Sequence, residues 1–90
     1  MYKLYILYSV IKKKYYVGFT SDELEERLRK HNSNHKGFTG KVADWKIVYT
    51  ESYSQKAEAK QRELTIKKWK SRKMIEKLIG LEHPDFISGG

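Results

Sequence analysis

Residues 14–32 read KYYVGFTSDELEERLRKHN. An aromatic run from Tyr15 to Phe19 is interrupted by Gly18, passes through Thr20-Ser21-Asp22 and enters a stretch with leucines four residues apart. Aromatic and β-branched residues suit a pleated surface, whereas Leu24 and Leu28 mark one face of a helix. The stretch therefore predicts strand, turn and helix. Thr20-Ser21-Asp22 supplies an N-cap, and Thr20 with Glu23 has the spacing of a capping box, so the helix should run to about Asn32. Three of its residues, Tyr16, Arg27 and His31, are the ones whose placement matters for chemistry.

Upstream, YKLYILYSV from Tyr2 is apolar at nearly every position, which predicts a strand buried on both faces. The polar connection Ile11–Lys14 is short enough to make the two strands an antiparallel hairpin. A turn centred between Lys12 and Lys13 sets Ser9 opposite Tyr16, Leu7 opposite Gly18 and Tyr5 opposite Thr20. Tyr5, Leu7, Ser9, Tyr16 and Gly18 then share one face of the sheet. A slip of one residue would send the two tyrosines to opposite faces.

Downstream, SNHKGFTGKVAD (33–44) is Gly-rich and polar and predicts a long loop, followed by a third strand WKIVYTES from Trp45. Ser54 is placed to cap a second helix running to about Trp69, and a third should span about Ser71 to Ile79. The tail LEHPDFISGG holds a proline and two glycines and predicts irregular chain. The order β-β-α-β-α-α implies a small α/β (α+β) layer structure with a mostly antiparallel sheet, one domain over 1–80 and an irregular tail over 81–90.

Composition narrows the function classes. Ninety residues suffice for one domain, and twelve aromatics argue for a real core. With no cysteine, disulfide scaffolds and thiolate metal sites are excluded. No apolar run is long enough for a membrane span and the N-terminus lacks a signal-peptide core, so a cytoplasmic location is the expectation. The net charge is +8, and residues 56–77 concentrate it, with nine Lys/Arg against three acids. Such a basic face attracts polyanions through counterion release, nucleic acid being the commonest; a solvated lysine-rich helix is the plainer alternative.

Helical phasing singles out a few polar residues. At roughly 100° per residue from Leu24, Leu28 falls near +40°, His31 near −20° and Arg27 near −60°, while Glu25, Glu26, Arg29 and Lys30 point away. Arg27 and His31 thus lie on or beside the apolar stripe. Arg27 could snorkel at its edge, and His31 could serve the last carbonyls of the helix. On the second helix Ala59, Glu63 and Ile66 form one stripe with Trp69 nearby, so Glu63 faces the protein. A lone inward carboxylate needs a counter-charge: either Arg27 in a salt bridge, or a Mg²⁺ or Mn²⁺ ion. Tyr2, Tyr8, Tyr15, Tyr49 and Tyr53 are expected to pack, and His35 and His83 to be ordinary surface residues.

A tyrosine in the first strand, Tyr-x-Gly in the second, Arg-x-x-x-His on a helix and a glutamate on the next helix together resemble the GIY-YIG nuclease family. The likeness is strongest to its small standalone bacterial members and to the N-terminal nuclease domain of the excinuclease subunit that incises damaged DNA. The second family triplet stands as Tyr16-Val17-Gly18 and the first as Lys3-Leu4-Tyr5, with Lys and Leu in place of its glycine and isoleucine. The resemblance covers residues 2–79. It implies a three-stranded antiparallel sheet flanked by helices and metal-dependent hydrolysis of DNA, RNA not being excluded. It further implies a site of Tyr5, Tyr16, Arg27, His31 and Glu63. In that site Tyr5, Tyr16 or His31 activates or positions water, Arg27 meets the phosphorane and Glu63 holds one Mg²⁺ or Mn²⁺. Lys56, Lys60, Lys67, Lys68, Lys70, Arg72 and Lys73 are expected along the DNA backbone, with Phe38 and the 33–44 loop adding contacts. A monomer or weak dimer with no small-molecule cofactor is the expected state. A non-catalytic nucleic-acid-binding module and an adaptor for acidic proteins are the competing readings.

Overall fold

Strand β1 (Tyr2–Ser9) is the centre of a three-stranded antiparallel sheet in the order β2-β1-β3, with β2 at Lys14–Thr20 and β3 at Lys46–Tyr53. The structure is a computed structural model describing residues 1–33 and 42–82, the last two through their backbone alone. Phe38 and His35, within 34–41, and His83, within 83–90, lie outside the described residues. Helices α1 (Leu24–His31), α2 (Lys56–Trp69) and α3 (Arg72–Glu82) complete the order β-β-α-β-α-α.

The near-continuous apolar run of β1 is explained by its position, since Leu4, Tyr5, Ile6 and Leu7 are all buried. Leu4 and Ile6 join Val17, Val48 and Tyr49 in a cluster closed by Ile66 of α2 and Ile79 of α3. Tyr5 and Leu7 join Trp45 in a second cluster, closed by Leu24 and Leu28 of α1 with Tyr16 and Ile47. A buried tyrosine enters each layer, Tyr49 in the first and Tyr5 in the second.

The hairpin register differs from the sequence expectation by two residues. Tyr5 pairs with Gly18, Leu7 with Tyr16 and Ser9 with Lys14. The cause lies in the turn, which Ser9 closes early: its carbonyl accepts the Lys13 N–H at 2.7 Å and its hydroxyl oxygen the Lys12 N–H at 3.0 Å. Lys13 adopts φ 56 to complete the reversal. A two-residue shift preserves side-chain parity, so Tyr5 and Tyr16 stay on the same face.

Helix ends also moved. Thr20 accepts the Asp22 N–H at 2.9 Å, a local turn that uses up its hydroxyl, and α1 starts one turn later than a Thr20 cap requires, with Glu23 at the N-cap and no side-chain cap. At α2 the cap is Gln55 rather than Ser54, and Gln55 with Glu58 forms a reciprocal capping box. Helix α3 reaches Glu82, past the predicted end at Ile79 and into the stretch expected to be irregular.

Two polar clasps bind helices to the sheet. The Tyr49 and Tyr53 hydroxyls donate to Glu51, whose carboxylate also receives Arg62 of α2 at 3.0 Å. Burial would raise the Glu51 pKa, but these donors outweigh it and hold the group below its usual value. At the other end of the sheet the Tyr8 and Tyr15 rings pack at 4.7 Å under the Arg72 guanidinium, which bonds Glu76 and the Lys13 carbonyl.

Burial, with Glu76 at Tyr15 and Glu51 at Tyr53, pushes both phenols up to about 12. Folded protein therefore keeps these protons above the pH at which unfolded chain loses them, near 10. Stability contributed by the raised phenols is complete below pH ~10 and is lost as pH climbs toward ~12. Urea unfolding across pH 8–12 should show a midpoint steady to pH ~9 that then falls steadily; a flat midpoint to pH ~12 would contradict the two clasps.

Candidate functional site

The site begins with a glycine. A Cβ added to Gly18 would lie 2.7 Å from the Tyr5 hydroxyl, 2.9 Å from Tyr5 Cζ and 3.1 Å from Tyr16 Cε2. The Tyr5 ring therefore lies across the backbone of its cross-strand partner, in space that any other residue would fill. Only 1% of Tyr5 is exposed.

Helix α1 supplies the groups that meet this phenol. Arg27 Nε donates to the Tyr5 oxygen at 3.3 Å, and His31 Nε2 lies 2.8 Å from it. Arginine can only donate, so the phenolic hydrogen is available to His31 Nε2 in the tautomer that carries its proton on Nδ1. The three side chains form a chain from Arg27 through Tyr5 to His31. Both α1 side chains meet the tyrosine: Arg27 bonds it from the edge of the stripe, and His31 reaches it through Nε2. His31 is 7% exposed, and Arg27 is partly buried at the rim. Glu25, Glu26, Arg29 and Lys30 are exposed, as the phasing required.

Burial raises the Tyr5 pKa above 10; Arg27 opposes this by hydrogen bond and charge, and Tyr16 and Glu63 add to the rise. The phenol is protonated at neutral pH. Reciprocally, the bond to Tyr5 raises the Arg27 pKa against the opposing effect of burial.

Tyr16 stacks its ring 4.7 Å from that of His31 and 6.4 Å from that of Tyr5. Across it comes α2: Lys67 Nζ lies 6.0 Å from the Tyr16 ring centroid and bonds Glu63 Oε2 at 3.2 Å. The Glu63 side chain is 14% exposed, between the fully buried Ala59 and Ile66. The structure thus brings Tyr5, Tyr16, Arg27, His31 and Glu63 to one neighbourhood. It does not make the salt bridge weighed between Glu63 and Arg27: among the described residues Glu63 pairs with Lys67 instead.

The chain matches the GIY-YIG catalytic domain over residues 1–77 of 90. The chain belongs to the GIY-YIG family. No match was found among curated proteins or among solved structures. GIY-YIG domains are nuclease domains, they act on DNA, and they typically use divalent metals. Here the last residues of the two GIY-YIG triplets, Tyr5 and Gly18, are direct cross-strand partners. Among the described residues no helix is long and apolar enough to cross a membrane.

A divalent cation of the family kind suits the donors present. Among the described residues no three His, Asp or Glu side chains cluster as a ready-made cage. Mg²⁺ or Mn²⁺ fits such a donor set, since these ions keep waters and need one or two carboxylates beside a phosphate. Glu63 is the residue that would hold it.

Of the basic residues expected to meet DNA, Lys56, Lys60, Lys68, Lys70 and Lys73 are exposed. Lys67 and Arg72 are exposed as well, Lys67 paired with Glu63 and Arg72 bonded to Tyr8, Glu76 and the Lys13 carbonyl. Sequence reasoning missed Asn32, whose amide donates to the Trp45 carbonyl at 3.0 Å and accepts the Trp45 N–H at 2.9 Å. That clip fixes the end of α1, and so His31, against the start of β3. An asparagine directly after the last helical histidine was the signal.

Gly18→Ala tests the close approach. The added methyl must displace Tyr5 within a packed layer, which should cost about 1–3 kcal/mol of stability. Denaturant unfolding should show this loss, and a change below ~0.5 kcal/mol would contradict the contact.

Proposed function

We propose that the chain is a metal-dependent endonuclease that hydrolyses DNA phosphodiesters at the face carrying Tyr5 and Tyr16. The observation that supports this most is the hydrogen-bonded chain Arg27–Tyr5–His31, with Tyr16 and Glu63 beside it. Phosphodiester hydrolysis needs a proton taken from water, positive charge for the phosphorane and help for the leaving oxygen.

Arg27 uses one nitrogen on Tyr5, and its planar fork presents two terminal nitrogens to the non-bridging phosphate oxygens. Tyr5 accepts the water proton while its own passes to His31 Nε2, so no free tyrosinate forms. This resolves the difficulty of a buried phenol with a raised pKa acting as a base at neutral pH. Tyr16 packs against the His31 ring and borders the position of the attacking water. Glu63 holds one Mg²⁺ or Mn²⁺, and Lys67 neutralises the carboxylate when the cation is absent. When bound, the cation supplies positive charge where the phosphate becomes more negative. Exposed Lys56, Lys60, Lys68, Lys70 and Lys73 line the DNA backbone path without reading sequence.

Cleavage of single-stranded, duplex, nicked and branched DNA with Mg²⁺ or Mn²⁺ tests the reading. Wild-type protein should cut at least one of these, and chelation should stop it. Glu63→Ala should abolish cutting with the fold retained, and Arg27→Ala should slow it by about 10²–10³-fold. Tight, salt-sensitive binding with no cutting under any condition would replace the nuclease by a non-catalytic binding module.

A further inference from the structure

The tip of the β1–β2 hairpin serves none of the functions described so far, and its composition is wrong for a mere turn. Residues 10–14 read VIKKK, without the Gly, Asn, Asp or Pro that ease chain reversal. Lys13 occupies the left-handed region at φ 56, where glycine or asparagine is easier. Val10 and Ile11, two large apolar side chains, are 57% and 68% exposed at the very end of the hairpin.

The tip is also held rigid. The Asp44 carboxylate accepts the Ser9 hydroxyl at 2.6 Å and the Ile11 N–H at 2.9 Å. Ser9 in turn accepts the Lys12 and Lys13 N–H groups, and Arg72 of α3 bonds the Lys13 carbonyl at 2.8 Å. This bracing leaves the apolar pair projecting into water. Lys12, Lys13 and Lys14 stand at the tip with the Asp44 carboxylate, and at the same end of the sheet lie Lys46 of β3, opposite Tyr8, and the Arg72–Glu76 pair.

We infer that this tip is a wedge that enters duplex DNA, Ile11 and Val10 parting a base step while the lysines hold the flanking phosphates. The inference rests on the nuclease reading above and names its substrate class: DNA with a deformable or already opened step. Apolar side chains inserted between bases, beside basic groups on the backbone, are a general way to unstack a step. The lysines favour a polyanion over an acidic-patch-free protein surface, and a rigid two-residue apolar prong suits a base step. At ~3.3 Å per strand residue, the tip lies about 17–20 Å from Tyr5, a span of about 5–6 base pairs at ~3.4 Å each. With the hairpin laid along the duplex axis, the opened step is offset from the cut bond by that number of pairs.

The test uses the full chain and duplexes of about 30 base pairs (intact or with a central unpaired step), each with one 2-aminopurine whose fluorescence rises on unstacking. Binding is measured in chelator, then cut positions are mapped with Mn²⁺. Wild-type protein should raise the fluorescence at a position about 5–6 base pairs from the cut. The double variant Val10→Ser/Ile11→Ser, at exposed positions, should keep the wild-type melting behaviour, lose the rise and bind about five- to tenfold more weakly. The triple variant Lys12→Ala/Lys13→Ala/Lys14→Ala should lower the slope of log affinity against log salt by about 2–3 while still unstacking at low salt. An equal rise in wild type and the serine variant, or none in either, overturns the wedge. Serine-sensitive binding to phosphatidylserine vesicles with DNA binding unaffected overturns it in favour of a lipid surface. Metal-dependent cutting without tip-dependent unstacking leaves the nuclease and removes the wedge; tip-dependent unstacking without cutting under any metal does the reverse.

Discussion

The rest of the site depends on one close approach, the Tyr5 ring lying over Gly18. Tyr5 sits on the central strand, where both faces are covered, so its hydroxyl cannot reach water by turning outward. Laid across its partner strand it reaches α1, but only if that partner has no side chain. The glycine is thus what lets a buried tyrosine extend its oxygen to Arg27 and His31. The cross-strand pairing of Tyr5 with Gly18 gives a physical reason why the two triplets of the family motif place a tyrosine and a glycine where they do.

From that contact the electrostatics follow. Burial holds the phenol protonated, a costly place for an anion, and with His31 protonated on Nδ1 the phenolic hydrogen goes to Nε2 while the arginine donates to the oxygen. A group in this state is suited to passing a proton through, not to storing negative charge. Helix α1 is short, so its position is secured elsewhere: Leu24 and Leu28 bury against the second cluster and Asn32 clips the helix end to Trp45. Helix α2 brings Glu63 and Lys67 from the other side of β2, anchored by Ala59 and Ile66.

The order of elements along the chain, the two-sided burial of β1 and the inward stripe of Glu63 were legible in sequence because each is a periodicity, and periodicity survives small errors of boundary. The hairpin illustrates this: a two-residue shift moved every partner, yet parity kept Tyr5 and Tyr16 together. What stayed illegible were choices between equivalent hydrogen bonds. Thr20 could cap α1 or close a turn onto Asp22, and Ser54 or Gln55 could cap α2; local sequence permits each, and tertiary placement decides. The partner of Glu63 was of the same kind. Arg27 and Lys67 both offered a cation, and in the fold Arg27 bonds Tyr5 while Lys67, one turn along the helix from Glu63, takes the carboxylate.

The central claim is that Tyr5 and His31 act as one proton-handling unit. A double-mutant cycle on metal-dependent cleavage rates measures this directly, with Tyr5→Phe, His31→Gln and the two combined. A relay requires both members, so the account predicts that the double variant is no slower than the slower single variant, within about threefold. Rate losses that multiply across the two substitutions would contradict it, showing independent roles for the tyrosine and the histidine.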